Sequence, residues 1–268
     1  MRDPLEGLSE SGTILTGADI TNVAAAFRPV HQSAIADVRR SDPSASVYAY
    51  GSVVTGQARV GASDVDLLTI GLPTSDANVV AAQLSERFAS VCRAVEIATA
   101  QAGDFVGDSD ESYGNRVFLR HYCVLLEGPD VHRPKHDLAG DRRAARGFNG
   151  DIARHARRWR TALDAGGDSG QLAQRMARKS LLAVAGLVSI HDHTWTTDRE
   201  ASAARWSEIA PEHRGGLAQL VSWATTTPDA SIEAVRDALD GTVEAIVSAF
   251  SESIGLWPDS FRDSVAPQ

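Results

Sequence analysis

Along the first half of the chain, short β-branched and apolar runs alternate with stretches whose apolar residues recur at helical spacing. Ile20, Val23, Ala24, Phe27, Val30, His31 and Ile35 fall near a period of 3.6, which predicts a helix over Asp19–Arg39. Ser46–Tyr50 reads as a strand that stops at Gly51, and Asp64–Ile70 as a second, ended by Gly71 and Pro73. A helix is predicted over Asp76–Val91, with Val79, Val80, Leu84, Phe88 and Val91 on one side. Val95–Thr99 and Tyr122–Glu127 read as further strands, the latter closed by the Gly128-Pro129 turn. Across Lys135–Gly150 the sequence turns polar, Arg-rich and Gly-containing, and a domain boundary is placed there. Beyond it the pattern is helical throughout, with helices predicted over Asp151–Leu163, Gln171–Ile190, Asp198–Ile209, Gly215–Ala224 and Ser231–Ile254. Thr197 and Glu200 have capping-box spacing at the start of the third of these. The pattern is that of a small domain of strands and helices followed by a helical bundle.

At 268 residues the chain has room for one large domain or two small ones. Its formal net charge of −9 counts against bulk nucleic-acid binding and favours cationic ligands. Cys92 and Cys123 are too few for a disulfide framework and read as small buried hydrophobes in a reducing compartment. The longest apolar run, Leu181–Ile190, falls short of the roughly 20 residues that span a bilayer. The N-terminus lacks the basic-then-apolar layout of a signal peptide. A cytoplasmic location without membrane partners is therefore expected. Lys135 and Lys179 are the only lysines among many arginines, which gives each a little more weight as a candidate.

The chemistry concentrates in Tyr50-Gly51-Ser52-Val53-Val54-Thr55-Gly56 and Ser63-Asp64-Val65-Asp66-Leu67-Leu68. A strand ending in Gly51-Ser52 before a helix start exposes backbone N–H groups, and glycine admits both an unusual dihedral and the close approach of a phosphate. Asp64 and Asp66, two apart on a strand, leave the same face, while Val65 points into the core. Neighbouring carboxylates repel unless a cation lies between them, and their hard oxygens suit Mg²⁺. A phosphate cradle beside an acidic pair is what transfer from a nucleoside triphosphate requires.

Gly-Ser followed by Asp-x-Asp at this spacing resembles the nucleotidyltransferases of the DNA polymerase beta superfamily. The Tyr-Gly-Ser turn and the Ser-Asp-x-Asp-Leu-Leu strand are similar to those of the aminoglycoside adenylyltransferases, which act on streptomycin and spectinomycin. Arg93-Ala94-Val95-Glu96-Ile97 resembles the strand in which that family places its catalytic glutamate, and Trp206 with Ala210-Pro211 resembles a C-terminal segment of the same enzymes. The likeness is strongest over residues 48–70 and 92–98. It implies an α+β fold: a small mixed-sheet nucleotidyltransferase domain over 1–145, then an all-α helical bundle over 146–268 that binds the acceptor substrate. It also implies ATP as co-substrate, two Mg²⁺ ions held by Asp64, Asp66 and Glu96, AMP transfer to a hydroxyl of a small cationic acceptor, and antibiotic resistance as the outcome. Gly51 and Ser52 would carry the triphosphate. Glu96 either completes the metal site or takes the acceptor proton; the family implies the second role. As an apolar-strand residue it is otherwise a solvent-facing position.

Further candidates have a structural reading beside the functional one. Arg178 and Lys179 are candidates for the triphosphate, or a basic pair at a helix edge. Trp159, Asp164 and Asp168 resemble the tryptophan and acids with which streptomycin-modifying members hold the cationic drug, by cation–π and charge-assisted contacts. They also flank an Ala165-Gly166-Gly167 turn, where acids are common. His191-Asp192-His193 lacks a third well-spaced ligand and reads as a polar turn. The arginines Arg142, Arg143, Arg146, Arg154, Arg157, Arg158 and Arg160 read as a solvated face. Two other functions stay open: the same transfer to a protein or another metabolite, as in antitoxin-type enzymes, and a nucleotide-binding module without catalysis. The antitoxin type carries an Arg after its Gly-Ser turn, where this chain has Val53-Val54-Thr55. Retention of both aspartates counts against the module.

Overall fold

The structure is a computed structural model and describes residues 3–258. They fall into two compact units, residues 3–141 with Thr194–Asp198, and Arg142–His193 with residues 199–258. The chain passes from the first unit to the second after Asp141 and returns to the first for Thr194–Asp198.

The first unit contains the short strands β1 (Gly7–Leu8) and β2 (Ile14–Leu15), helix α1 (Arg28–Ser41), β3 (Ser46–Tyr50), β4 (Val65–Ile70), α2 (Thr74–Arg87), β5 (Val95–Ala100), α3 (Asp110–His121) and β6 (Val124–Glu127). The main sheet has the order β5-β4-β3-β6; β3 runs antiparallel to β4 and β6, while β4 and β5 are parallel. It is a small mixed sheet. Strand alternation sorts its residues by face. Val47, Ala49, Val65, Leu67 and Val95 are buried with Val30, Ala34 and Val38 of α1 and Ala77, Val80 and Leu84 of α2. On the other face Tyr48, Leu68 and Ile70 are buried with Phe105 and with Leu119 of α3.

The helix expected over Asp19–Arg39 begins only at Arg28. Before it lie two single 3-10 turns, Ile20–Asn22 and Ala25–Phe27, and Pro29 stands in the first turn of α1. Proline lacks an N–H and fits a helix start, not its interior, so it overrides the apolar periodicity around it. Thr197 does not cap the following helix. Its N–H and hydroxyl both donate to Glu6 (2.7 and 2.8 Å), which also accepts from the Tyr122 hydroxyl (2.6 Å), and Trp195 Nε1 donates to that hydroxyl (2.7 Å). This network fastens the returning segment to the N-terminal strand region.

In the second unit, α4 (Arg142–Asn149), α5 (Ile152–Asp164), α7 (Arg199–Ile209), α8 (Arg214–Thr225), α9 (Ile232–Ala238) and α10 (Glu244–Ser253) pack with α6 (Ser169–His191), directly or through one another. Buried along α6 are Leu172, Ala173, Met176, Ala177, Ser180, Leu181 and every residue of 183–189, so it is the axis of this bundle. The single helix expected over Ser231–Ile254 is interrupted by a π turn at Leu239–Val243, around Gly241. Among the described residues no helix is long and apolar enough to cross a membrane.

Candidate active site

The second face of the main sheet is covered unevenly. Phe105 and α3 bury its Leu68–Ile70 end. At its other end the register sets Asp66 directly beside Glu96 on β5 and opposite Tyr50 on β3. Register partners share a face, so the two acids and the phenol project together. Glu96 is exposed and Asp66 half-buried. Tyr50 packs edge-on against Phe118 (centroids 5.0 Å), a wall to the acid pair.

Gly51 follows at the end of β3 with φ +74°, the left-handed region where glycine carries no steric penalty. A Cβ there would fall 2.4 Å from Asp66 Oδ2, so the carboxylate occupies the space a side chain would need. The helix start expected after Gly51-Ser52 is only a 3-10 turn, Gly51–Val53. It is held by the Gln57 N–H to Ser52 O bond (2.9 Å). A single turn leaves its first N–H groups without internal partners but carries little of a long helix's dipole.

Asp64 lies one residue before β4 and is used differently from Asp66. Arg93 forks onto it, Nε to Oδ1 at 2.9 Å and the second nitrogen to Oδ2. Asp66 has no such compensation. Burial, then the charges of Glu96 and Asp64, outweigh Arg93 and push its pKa up to about 7. Burial and, after it, the Asp66 charge also raise the Tyr50 phenol, with Cys123 and Glu96 adding to the shift, so it stays protonated. Asp66 and Glu96 are therefore brought together beside the Gly51-Ser52 turn, while Asp64 is committed to Arg93. Among the described residues no three acids, histidines or cysteines form a ready metal cage. The donor chemistry nevertheless fits a hard divalent cation, because an uncompensated carboxylate held near pH 7 beside a second one is relieved by positive charge.

The candidates of the second unit have other partners. Lys179 Nζ reaches Asp151 Oδ1 (2.7 Å) and the Phe148 carbonyl (3.0 Å). Burial opposes the Asp151 charge, but His155 and Lys179 outweigh it and hold its pKa down to about 2. Arg178 Nε donates to the Ala224 carbonyl (3.1 Å). Trp159 is buried in α5 with its ring 5.4 Å from that of His155. Asp164 pairs with Arg236 (2.9 Å), and Asp168 caps α6 by accepting from the Gln171 N–H (2.9 Å). His191 and Arg205 both pair with Asp192. Cys92 and Cys123 are buried free thiols.

Three residues acquire a place that sequence reasoning had not given them. Arg93 and Tyr50 stood inside the quoted motifs, but their roles depend on strand register. Arg199 opens α7, and burial of its guanidinium, then the like charge of Arg178, lower its pKa.

Residues 32–99, from α1 to the end of the acidic strand, match the family described as nucleotidyltransferase domain. A search of curated proteins finds no match. Among solved structures, the chain is similar to spectinomycin adenyltransferase AAD(9) from Enterococcus faecialis, solved with ATP and spectinomycin, at a TM-score of 0.51 and 10% identity. The likeness covers 81% of this chain and 98% of that one, which establishes a shared fold. The matched segment contains Gly51, Ser52, Asp64, Asp66 and Glu96 together. Residues 32–99 of the chain thus match a nucleotidyltransferase domain, and the fold as a whole is similar to that of a spectinomycin adenyltransferase.

Proposed function

We propose that the chain transfers AMP from ATP, with Mg²⁺, to a hydroxyl of a small cationic acceptor such as an aminoglycoside, releasing pyrophosphate. The observation that carries the reading is the register pairing of Asp66 with Glu96 at the uncovered end of the sheet, one residue from the Gly51 turn. In this reading the turn's N–H groups bind the triphosphate. Asp66 and Glu96, with Asp64, would hold the divalent ion, which supplies charge stabilisation at the reacting phosphate. Glu96, the exposed acid, takes the proton of the acceptor hydroxyl as its oxygen attacks the α-phosphorus. Tyr50 walls the pair on one side. In the second unit Arg178 and Lys179 remain the nucleotide candidates of this reading, and Trp159, Asp164 and Asp168 its acceptor candidates. The net charge of −9 and the ligand of the similar solved structure support a cationic acceptor.

The test is a pyrophosphate-release screen of ATP and Mg²⁺ against streptomycin, spectinomycin and other aminocyclitols, run beside Glu96→Gln and Asp66→Asn. Release with one acceptor, abolished in both variants, is expected. Turnover that survives Asp66→Asn intact refutes the assignment, and release only with lysate protein redirects it to a protein acceptor.

A further inference from the structure

Among the described residues, the cation paired with the acid cluster is Arg93. Arg93 donates two parallel N–H bonds to the two oxygens of Asp64, the fork geometry that matches a carboxylate edge to edge. With both oxygens engaged, a divalent ion reaches Asp64 only by displacing at least one of those bonds.

The pair is not needed to hold the backbone. Gly61 N–H donates to Val91 O (2.8 Å), Arg93 N–H to Ser63 O (3.0 Å) and Val65 N–H to Ala94 O (2.9 Å). The two segments are thus already joined on both sides of Asp64, and the guanidinium fixes only the side chain. Its own side chain is 62% exposed against 16% for Asp64. The guanidinium itself is largely hydrated and can swing into water, whereas the less exposed Asp64 carboxylate it uncovers then calls for another cation.

We propose that Arg93 is an exchangeable counter-ion: in the free protein it occupies Asp64 as a substitute for the divalent cation, and binding of that cation displaces it. This rests on the nucleotidyl-transfer reading above and adds a regulation to the same site. Its consequence is that metal binds the nucleotide-free protein more weakly than the three acids alone would allow. Metal arriving with the triphosphate, which brings further ligands, overcomes the competition.

The experiment titrates Mn²⁺, as the probe, into nucleotide-free protein by calorimetry and electron paramagnetic resonance, for wild type, Arg93→Gln and Arg93→Lys. Thermal melts first establish that the variants are folded. The expected result is a Mn²⁺ dissociation constant about threefold to tenfold lower in Arg93→Gln. Arg93→Lys keeps the charge but loses the fork, and should lie nearer to Arg93→Gln than to wild type. A second readout is the Arg93 Nε–H resonance, which should shift on addition of Mg²⁺ with ATP as the bond to Asp64 is given up. Unchanged or weaker Mn²⁺ binding in Arg93→Gln overturns the counter-ion role, since an arginine that merely orients Asp64 for the metal gives that sign. Arg93→Lys behaving as wild type overturns the fork as its basis. If neither wild type nor variant binds Mn²⁺, with or without ATP, the transfer reading itself fails; a wild type that binds Mn²⁺ and releases pyrophosphate, beside an unaltered Arg93→Gln, removes the counter-ion role alone.

Discussion

Gly51→Ala separates a conformational cost from a functional one, because the fold contains a glycine of similar dihedral with nothing around it. Gly51 has φ +74° and Gly12, between β1 and β2, has φ +78°. A Cβ on Gly12 meets nothing within 4 Å, whereas on Gly51 it meets Asp66 Oδ2 at 2.4 Å and Asp66 Cγ at 3.2 Å. Both alanines are forced into the left-handed region, at about 1–2 kcal/mol. For a domain of this size that lowers the melting temperature by roughly 2–4 °C per kcal/mol. Only Gly51→Ala must also push a carboxylate aside, and that carboxylate is the end of a short side chain that can rotate. The extra stability loss should therefore stay at or below about 1 kcal/mol, while the acid leaves its place beside Glu96. Displacing a reacting group by about 1 Å can cost around a hundredfold in rate. The assay is pyrophosphate release with the acceptor found in the screen, at a temperature where melts show both variants folded. Gly12→Ala should stay within about twofold of wild type, and Gly51→Ala should fall by about a hundredfold. Equal activity in the two alanine variants would show that the position of Asp66 does not matter to turnover, and the site as described would be wrong.

Asp66→Asn should be inactive yet more stable: held at about 7 instead of 3.8, the ionised carboxyl costs the fold up to about 4 kcal/mol. A gain of about 1–3 kcal/mol in denaturant unfolding at pH 8 is expected, and a loss there contradicts the charge imbalance. His31, buried with its Nε2 unpaired, has its pKa lowered by burial to about 4 from 6.5. The unfolded chain therefore takes up its proton first as pH falls, so the stability its neutral form confers is complete above pH 6.5 and is lost progressively toward pH 4. Relative to wild type, His31→Leu should gain about 3 kcal/mol between pH 7.5 and pH 4; a pH-independent difference refutes the buried neutral imidazole. Lys179→Met leaves Asp151 without its 2.7 Å partner and should cost about 1–3 kcal/mol. If nucleotide affinity falls more than about tenfold in a folded Lys179→Met, that lysine serves ATP as well as Asp151.

The strands around the site were legible because period-two patterning and glycine stops are local. Ser46–Tyr50 matches its prediction residue for residue, and β4 and β5 match to within one. What was not legible depends on partners distant in sequence. α3 was missed although Ser109 caps it by accepting from the Ser112 N–H, Asp110 and Glu111 open it, and Arg120 and His121 close it. Its sequence carries few apolar residues, so the ends announce a helix that the periodicity does not. Asp64 and Asp66 were read as equivalent members of one strand. Two-residue spacing does place them on one side, but it says nothing about Arg93, which meets Asp64 only through the pairing of β4 with β5. The Thr197 signal marks the start of α7 at Arg199 to within two residues, but Thr197 itself bonds a half-buried acceptor 191 positions away, Glu6.

The contrast between the two aspartates explains how the fold tolerates the cluster at all. Three acids on one edge of a small sheet oppose folding through mutual repulsion, and the opposition grows with burial. Two features limit it: Glu96 stays in water, and Arg93 neutralises Asp64 from an exposed position. The remaining imbalance falls on Asp66 alone, the acid pressed against the Gly51 turn. Neutralising Asp66 would relieve the sheet and remove the charge from the turn at once. A turn that admits only glycine and an uncompensated charge coincide at one carboxylate, and a charge held at such cost is a mark of a functional site. The same reasoning ranks the three acids: the one that the fold most resists is the one whose conservative replacement should harm turnover most and help stability most.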